Sequence, residues 1–156
     1  MLVDCVEDGG VKINLRPVTN ADRAFAERVY FETQRWIIEE LFGWRGDDLE
    51  RAKFAESFDE RNAKVIVLDG EDCGWLAVLR STHGIELSSI YIVPAKQGQG
   101  LGTILIVALI DEAASARLPL TLSTAKINPA RSLYDRLGFR LVKEEEYKVY
   151  LRHDAH

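Results

Sequence analysis

The feature that most constrains this chain is a change of periodicity around a glycine-rich loop. Residues 85–93 have the pattern of a strand that ends at Pro94, and glycines then recur at Gly98, Gly100 and Gly102. From residue 100 to residue 117 the apolar residues follow the i, i+3, i+4 spacing of a long, buried helix. Such a helix presents unpaired N–H groups at its start, and glycines let the backbone approach a ligand closely. The arrangement therefore predicts a pyrophosphate site.

Two other phosphate-binding loops do not fit this sequence. The P-loop requires Gly-Lys followed by Ser or Thr, and the chain has no such motif. The dinucleotide-binding loop would need glycine at Thr103 and would follow the first strand of a βαβ unit, whereas the preceding strands have the pattern of hairpins. A purely structural glycine turn stays open as an alternative.

The rest of the chain predicts an α/β fold. We expect a strand over 11–16, one helix starting at Thr19 and running to about residue 42, and a second helix over 48–58. Tight turns at Asp69-Gly70 and His83-Gly84 favour antiparallel pairing of the strands at 64–68, 74–80 and 85–93. The chain closes with the predicted strand 119–125, short helix 129–137, and strands 139–143 and 147–152.

This order predicts a mixed, mostly antiparallel central sheet flanked by helices, with one parallel crossover after the glycine loop. The 156 residues favour a single domain spanning 1–156, in which we expect residues 1–10 to form a flexible tail.

Composition narrows the function. The net charge of −5 argues against nucleic acid as a partner. No apolar run reaches the roughly 18 residues of a membrane span, and the acidic start does not resemble a secretory signal. Cys5 and Cys73 form neither a disulfide framework nor a zinc motif. We therefore expect a cytoplasmic protein with no bound metal and no membrane partner.

Two motifs resemble those of one family. The run Gln97, Gly98, Gln99, Gly100, Leu101, Gly102 matches the acyl-CoA loop of the GNAT superfamily of N-acetyltransferases, which has Arg or Gln, two variable residues, Gly, one variable residue and then Gly or Ala. The segment from Asn128 through Tyr134 to Gly138-Phe139 looks like the second signature of that family. The motifs lie about 30 residues apart, and the element order agrees from about residue 12 onward.

The resemblance implies acetyl-CoA as the acyl donor. Its pyrophosphate is expected on the backbone amides of Gln97, Gly98, Gln99, Gly100, Leu101, Gly102 and Thr103. The pantetheine arm is expected to pair, like an added strand, with backbone near Ile92 and Val93 that a bulge in the central strand exposes. The amide of Ile90 or Tyr91 is expected to polarise the thioester carbonyl. Asn128 is expected to bond CoA or to cap the short helix.

Direct transfer to an amine requires a base, an oxyanion donor and an acid for the departing thiolate. We predict Glu86 as the base, acting through an ordered water, because some GNAT enzymes have a catalytic glutamate at the start of this strand. A solvent-facing role for Glu86 is the alternative, and His83 is a less favoured base. The resemblance implies Tyr134 as the acid, because many GNAT enzymes have a tyrosine near the CoA sulfur at this position. A phenol with a pKa of about 10 is protonated at neutral pH and can donate to a thiolate. Helix packing is the alternative role of Tyr134.

The acceptor is predicted to be a small-molecule amine or a peptide that contacts the first helices. An aromatic, acidic pocket for its ammonium group is one hypothesis, built from Trp36, Phe42 and Trp44 with Glu32, Glu39 and Glu40. Core packing of Trp36 and a solvated acidic face are the alternatives.

Two other functions stay open from the sequence. The protein could keep the fold but transfer another acyl group or use an oxygen acceptor, or it could be a non-catalytic acyl-CoA-binding or sensing module that keeps the loop.

The resemblance also implies a homodimer, for which the closing strands 139–152 offer an exposed edge.

Overall fold

The computed structural model describes residues 5–154, and within them eight strands form one sheet in the order β1-β2-β3-β4-β5-β6-β8-β7. The strands are β1 Cys5–Asp8, β2 Val11–Pro17, β3 Ala63–Leu68, β4 Glu71–Arg80, β5 Ile85–Ile92, β6 Leu120–Ala125, β7 Arg140–Glu144 and β8 Lys148–His153. The helices are α1 Arg23–Phe42, α2 Asp47–Ser57, α3 Leu101–Ala116 and α4 Arg131–Arg136, with 3₁₀ turns at Asn20–Asp22 and Pro94–Lys96.

The predicted fold class is confirmed. The neighbouring strand pairs described are antiparallel except β5 and β6, which run parallel and are joined through α3. The strand β7 lies at the edge of the sheet with every residue exposed. No helix in residues 5–154 combines the length and hydropathy that crossing a membrane requires.

Helices cover both faces of the sheet, because each face carries its own buried cluster. The cluster on the α3 and α4 side joins strand residues such as Leu76 and Leu87 to Leu105 and Tyr134. The cluster on the α1 and α2 side joins Trp75 and Ala77 to helix residues such as Val29 and Phe54. The indole N–H of Trp75 also donates to the Ala26 carbonyl at 3.0 Å. The cluster that a side chain of a central strand joins therefore shows which face of the sheet that side chain lies on.

The expectation of a flexible tail over 1–10 is wrong for residues 5–10. The strand β1 pairs antiparallel with β2, from Cys5 opposite Asn14 to Asp8 opposite Val11. Gly9 and Gly10, with φ of 56° and 86°, form the two-residue turn between them, a conformation that glycine enters readily. Val6 packs against the α3-side cluster. Residues 1–4 lie outside the described residues.

The central strand β5 carries the bulge that the resemblance implies. Ala77 of β4 lies opposite Ser89 and Val78 lies opposite Leu87, so Ser88 is an extra residue in β5. On its other side, β5 pairs with β6 at three positions, which end with Leu87 opposite Leu122. Beyond Leu87 the two strands separate, and a gap opens within the sheet.

Gly74 holds β4 close to this distorted strand. A Cβ at position 74 would lie well under 3.0 Å from the Tyr91 carbonyl oxygen, closer than real side chains approach a backbone atom. We predict that Gly74→Ala destabilises the fold by about 1–3 kcal/mol, as overpacked sites do, and lowers Tm by several degrees.

Gly102→Ala is the matched control, because its Cβ would meet nothing nearer than the Ile92 Cδ1 atom at 3.8 Å. Thermal unfolding followed by circular dichroism measures both variants. Equal melting temperatures for the Gly74→Ala protein and the wild type would show that β5 yields without cost.

Candidate active site

The gap between β5 and β6 opens into a cavity of about 670 Å³. It passes through the sheet, because Ile90 and Ile92 of its β5 wall pack with the α3-side cluster whereas Tyr91 packs with the α1-side cluster. One mouth is bounded by the glycine loop, α3 and α4, and the other by α1. The cavity can therefore receive two reactants from opposite faces of the sheet.

The glycine loop lines the first mouth, as predicted. The cavity-lining members are Gln97, Gly98, Gly100, Leu101, Gly102 and Thr103, whereas Gln99 lies outside the lining. Gly98 and Gly100 have φ of 78° and 83°, which a residue with a side chain rarely adopts. The Gly100 carbonyl accepts the Ile104 N–H at 3.0 Å, so the first turn of α3 follows directly. Its unpaired N–H groups suit an anion.

The wall formed by β5 directs backbone groups into the gap, where no neighbouring strand pairs with them. The Val93 N–H donates to the Cys73 carbonyl at 2.9 Å, across the β4 side of the strand. Alternate residues of an antiparallel ladder direct N–H and C=O to the same neighbour. The backbone groups of Tyr91 therefore face β4 together with those of Val93, and those of Ile90 and Ile92 face the gap. Of the two predicted oxyanion donors, this register favours the Ile90 amide.

The side chain of Gln97 confirms the direction of one of these groups. Its Nε2 atom donates to the Ile92 carbonyl at 2.9 Å, from the loop that follows the strand. The Ile92 carbonyl thus points away from β4 and already holds a hydrogen-bond donor. A ligand arm that paired with Ile92 would replace this bond.

Tyr134, the predicted acid, is buried on the wall of the cavity. Its side chain is 6% exposed, lines the cavity and packs against the Phe139 ring at 5.8 Å between centroids. Burial raises the pKa of the Tyr134 phenol above its usual value, so the phenol is protonated at neutral pH. A protonated phenol on the cavity wall is compatible with the predicted role of an acid.

The structure does not bring Glu86 to the cavity. Its side chain is exposed, and the cavity wall begins at the next residues, Leu87 and Ser88. His83 is also exposed and lies in the turn before β5. Tyr134 and the glycine loop thus line the same cavity, whereas Glu86, the predicted base, lies outside it.

Asn128 makes hydrogen bonds through both ends of its amide. Its Oδ1 atom accepts the Ala130 N–H at 3.0 Å, and its Nδ2 atom donates to the Thr124 hydroxyl at 2.8 Å. Its backbone carbonyl accepts the Arg131 N–H at 3.1 Å. Asn128 therefore fastens the start of α4 to the end of β6, while its side chain also lines the cavity.

The hypothesis of an aromatic, acidic acceptor pocket is wrong for Trp44 and Phe42, whereas Trp36 does line the cavity. Trp36 is 48% exposed and lines the α1 mouth, so it is not a core residue. Trp44 instead packs under the guanidinium of Arg35, which lies 3.9 Å from its ring centroid. Phe42 packs against Tyr147, at 5.1 Å between ring centroids. Neither Trp44 nor Phe42 is among the residues that line the cavity.

The acidic residues of that hypothesis lie on the exposed face of α1. Glu32 pairs with Arg28 at 3.2 Å and Glu39 pairs with Arg35 at 2.6 Å, each one turn apart on the helix. Glu40 is exposed and does not line the cavity. These glutamates therefore form a solvent-exposed acidic face of α1, which was the alternative to an acceptor pocket.

Several polar residues of the cavity were missed from the sequence. They come from separate elements, so no local spacing marks them: Thr33, Gln34, Ser88, Ser89, Lys96, Ser123, Thr124, Arg136 and Lys148. Ser89 bonds the Tyr91 hydroxyl, and burial raises the pKa of that phenol well above its usual range. Two of the cations, Lys96 just before the glycine loop and Arg136 at the end of α4, lie on the side of the first mouth, where positive charge suits phosphate groups, although Lys96 also lies 3.6 Å from the Glu71 carboxylate.

Comparison with known proteins identifies the family. The model of the acetyltransferase (GNAT) domain matches residues 39–154, which is more than half of the chain. The chain therefore belongs to the GNAT acetyltransferase family. No curated protein matches it in sequence.

Solved structures share the fold at low identity. The PaiA N-acetyltransferase of Thermoplasma acidophilum, in complex with coenzyme A, is 15% identical with a TM-score of 0.70, over 91% of this chain and 98% of that one. An acetyltransferase of Thermus thermophilus is 24% identical with a TM-score of 0.64, over 91% and 96%. The ribosomal-protein-S18-alanine N-acetyltransferase of Escherichia coli is 20% identical with a TM-score of 0.64, over 91% and 93%.

The loop geometry predicts different effects for two glycines. Gly100→Ala forces a side chain into the left-handed region, at a cost of about 1–2 kcal/mol, and we expect it to weaken acetyl-CoA binding about tenfold by shifting the start of α3. Gly102→Ala has room at 3.8 Å and lies within the helix, so we expect binding within about threefold of wild type. Isothermal titration measures both variants. Equal losses of affinity would contradict this difference.

Proposed function

We propose that this protein is an N-acetyltransferase that moves an acetyl group directly from acetyl-CoA to a primary amine. The observation that carries the proposal is the gap in the sheet, where β5 pairs with no strand on one side and continues into the glycine loop, and where Tyr134 lies on the wall. Family membership supports acyl transfer, and the fold shared with a coenzyme A complex supports the donor.

Each end of the donor has a matching part of the cavity. The phosphates would lie on the amides between Gln97 and Thr103, near the cations Lys96 and Arg136. The extended pantetheine arm would enter the gap and pair with the Ile90 and Ile92 backbone, taking the place of the Gln97 amide on the Ile92 carbonyl. The thioester then lies between the strands, within reach of a reactant from the α1 mouth.

Transfer proceeds by attack of the neutral amine nitrogen on the thioester carbonyl carbon. The new C–N bond forms while the Ile90 N–H stabilises the charge on the carbonyl oxygen. The C–S bond then breaks, and the departing thiolate takes the phenolic proton of Tyr134. The amide nitrogen releases its remaining extra proton, and solvent restores the phenol.

The role of Glu86 stays a prediction. From its exposed position outside the cavity, the carboxylate could take the amine proton through a chain of water molecules and not by direct contact. The identity of the acyl group and the homodimer also stay predictions. For the dimer, the exposed edge strand β7 is the surface we propose.

Binding of the donor can be tested first. At about 100 times its Kd, acetyl-CoA should stabilise the protein by about 2.7 kcal/mol, which raises Tm by several degrees. Differential scanning fluorimetry measures this shift, with NAD and ATP as controls that lack the pantetheine arm. We expect a clear shift with acetyl-CoA and with coenzyme A. No shift at saturating acetyl-CoA would exclude the donor and the catalytic roles with it.

Removal of the Tyr134 hydroxyl tests the acid and separates an enzyme from a binding module. We expect Tyr134→Phe to lower kcat by about 100-fold or more, as loss of a general acid does, while acetyl-CoA binding stays within about threefold. The control is Tyr147→Phe, which removes an exposed hydroxyl outside the cavity. Thiol release during turnover is the readout. Wild-type turnover in the Tyr134→Phe enzyme would show that Tyr134 only packs.

A further inference from the structure

An acceptor would enter the cavity by its α1 mouth. The pairing of the strands shows which side chains line this mouth. Lys148 pairs with Ala125, and Tyr150 pairs with Ser123. The intervening Val149 is buried in the α3-side cluster, so its neighbours Lys148 and Tyr150 point to the α1 side. The lining of this mouth is Thr33, Gln34, Trp36, Ile37, Ser89, Tyr91, Ser123, Ala125 and Lys148.

This wall carries a cation in place of the expected acidic group. Lys148 is its charged residue, and no Asp, Glu or His lies among the cavity-lining residues within 5–154. The ammonium of Lys148 lies 5.5 Å from the Tyr150 ring centroid, and no carboxylate within the described residues forms an ion pair with it. The ammonium group of Lys148 is therefore available to form an ion pair with an anionic ligand.

Five carboxylates, on α1 and in the segment just before Lys148, have other partners. Glu144 lies 3.6 Å from the Lys126 ammonium. Glu145 accepts a hydrogen bond from the Tyr150 hydroxyl and Glu146 from the Tyr147 hydroxyl. On α1, Glu32 and Glu39 pair with arginines of the same helix. None of these five carboxylates forms an ion pair with Lys148.

We propose, on the basis of the proposed function, that the acceptor is an amine that also carries a carboxylate, such as a free amino acid, and that Lys148 binds this carboxylate. An ammonium group placed beside Lys148 would be repelled, whereas a carboxylate gains a charge-assisted hydrogen bond. The Ser123 and Ser89 hydroxyls and the Gln34 amide supply further polar groups on the same wall. Polyamines and lysine side chains are poor matches for it.

The test compares matched acceptors in three proteins. The acceptors are the common amino acids, their carboxamides, which keep the amine and lose the negative charge, and spermidine. The proteins are the wild type, Lys148→Gln and Lys148→Arg. We expect the wild type to prefer at least one amino acid over its carboxamide by about tenfold or more in kcat/KM. Lys148→Gln should remove this preference through a higher KM for the amino acid, and Lys148→Arg should keep most of it.

Two further readouts separate the outcomes. The KM for acetyl-CoA should stay within about twofold in Lys148→Gln, because the donor phosphates lie at the other mouth. A large rise in that KM would overturn the inference by assigning Lys148 to the donor. Turnover of carboxamides or spermidine at least equal to that of every amino acid would overturn it as well, with the acetyltransferase intact. Stabilisation by acetyl-CoA without turnover of any amine would overturn both proposals.

Discussion

The structure depends on the point at which two parallel strands stop pairing. The extra residue Ser88 bends β5 away from β6 after Leu87, while its pairing with β4 continues to Ile92. An interior strand thereby keeps one edge hydrogen-bonded and presents the other to a ligand. Helices cover both faces of the sheet on either side of the gap, so the opening becomes a cleft that is lined from both faces. The candidate active site follows from this one departure from regular pairing.

Charge is distributed unevenly over a protein that is acidic as a whole. The net charge is −5, yet the ionic groups that line the cavity are Lys96, Arg136 and Lys148. Glu32, Glu39 and Glu144 pair with cations, and Glu145 and Glu146 accept hydrogen bonds from tyrosine hydroxyls. A positive interior in a negative protein favours a polyanionic donor locally without attracting polyanions to the whole surface. The charge of the cavity could not be anticipated from the charge of the chain.

Local patterns predicted most of the fold, because the signals were contained within short segments. The glycine loop and the apolar spacing of α3 located the first mouth, and Asp69-Gly70 located a hairpin. The turn Gly9-Gly10 is a comparable signal for β1, but Cys5–Asp8 does not alternate apolar and polar residues and so does not itself have the pattern of a strand. Glu86 shows a different limit. Sequence position placed it on the correct strand, but the lining of the cavity depends on how far the gap extends along β5.

Residues contributed by distant segments were beyond local patterns. Lys148 reaches the α1 mouth because β8 inserts between β6 and β7, an order that becomes evident when the sheet is assembled. Trp44 was expected in the acceptor pocket but lies under Arg35 instead, because the two glycines that flank the α1–α2 connection turn the chain there. Such positions depend on tertiary packing, which no spacing in the sequence encodes.

The hydrogen bond from Gln97 to the Ile92 carbonyl has a thermodynamic consequence for donor entry. In the proposed binding mode, the pantetheine arm would exchange one hydrogen bond for another at this carbonyl and would gain little net free energy there. The phosphates on the loop would then contribute a larger share of the affinity, and their attraction to the loop and its cations would weaken as salt screens it. The reactive end of the donor would be held loosely and its anionic end firmly. With the affinity divided in this way, coenzyme A would leave after acyl transfer as soon as its phosphates dissociate from the glycine loop.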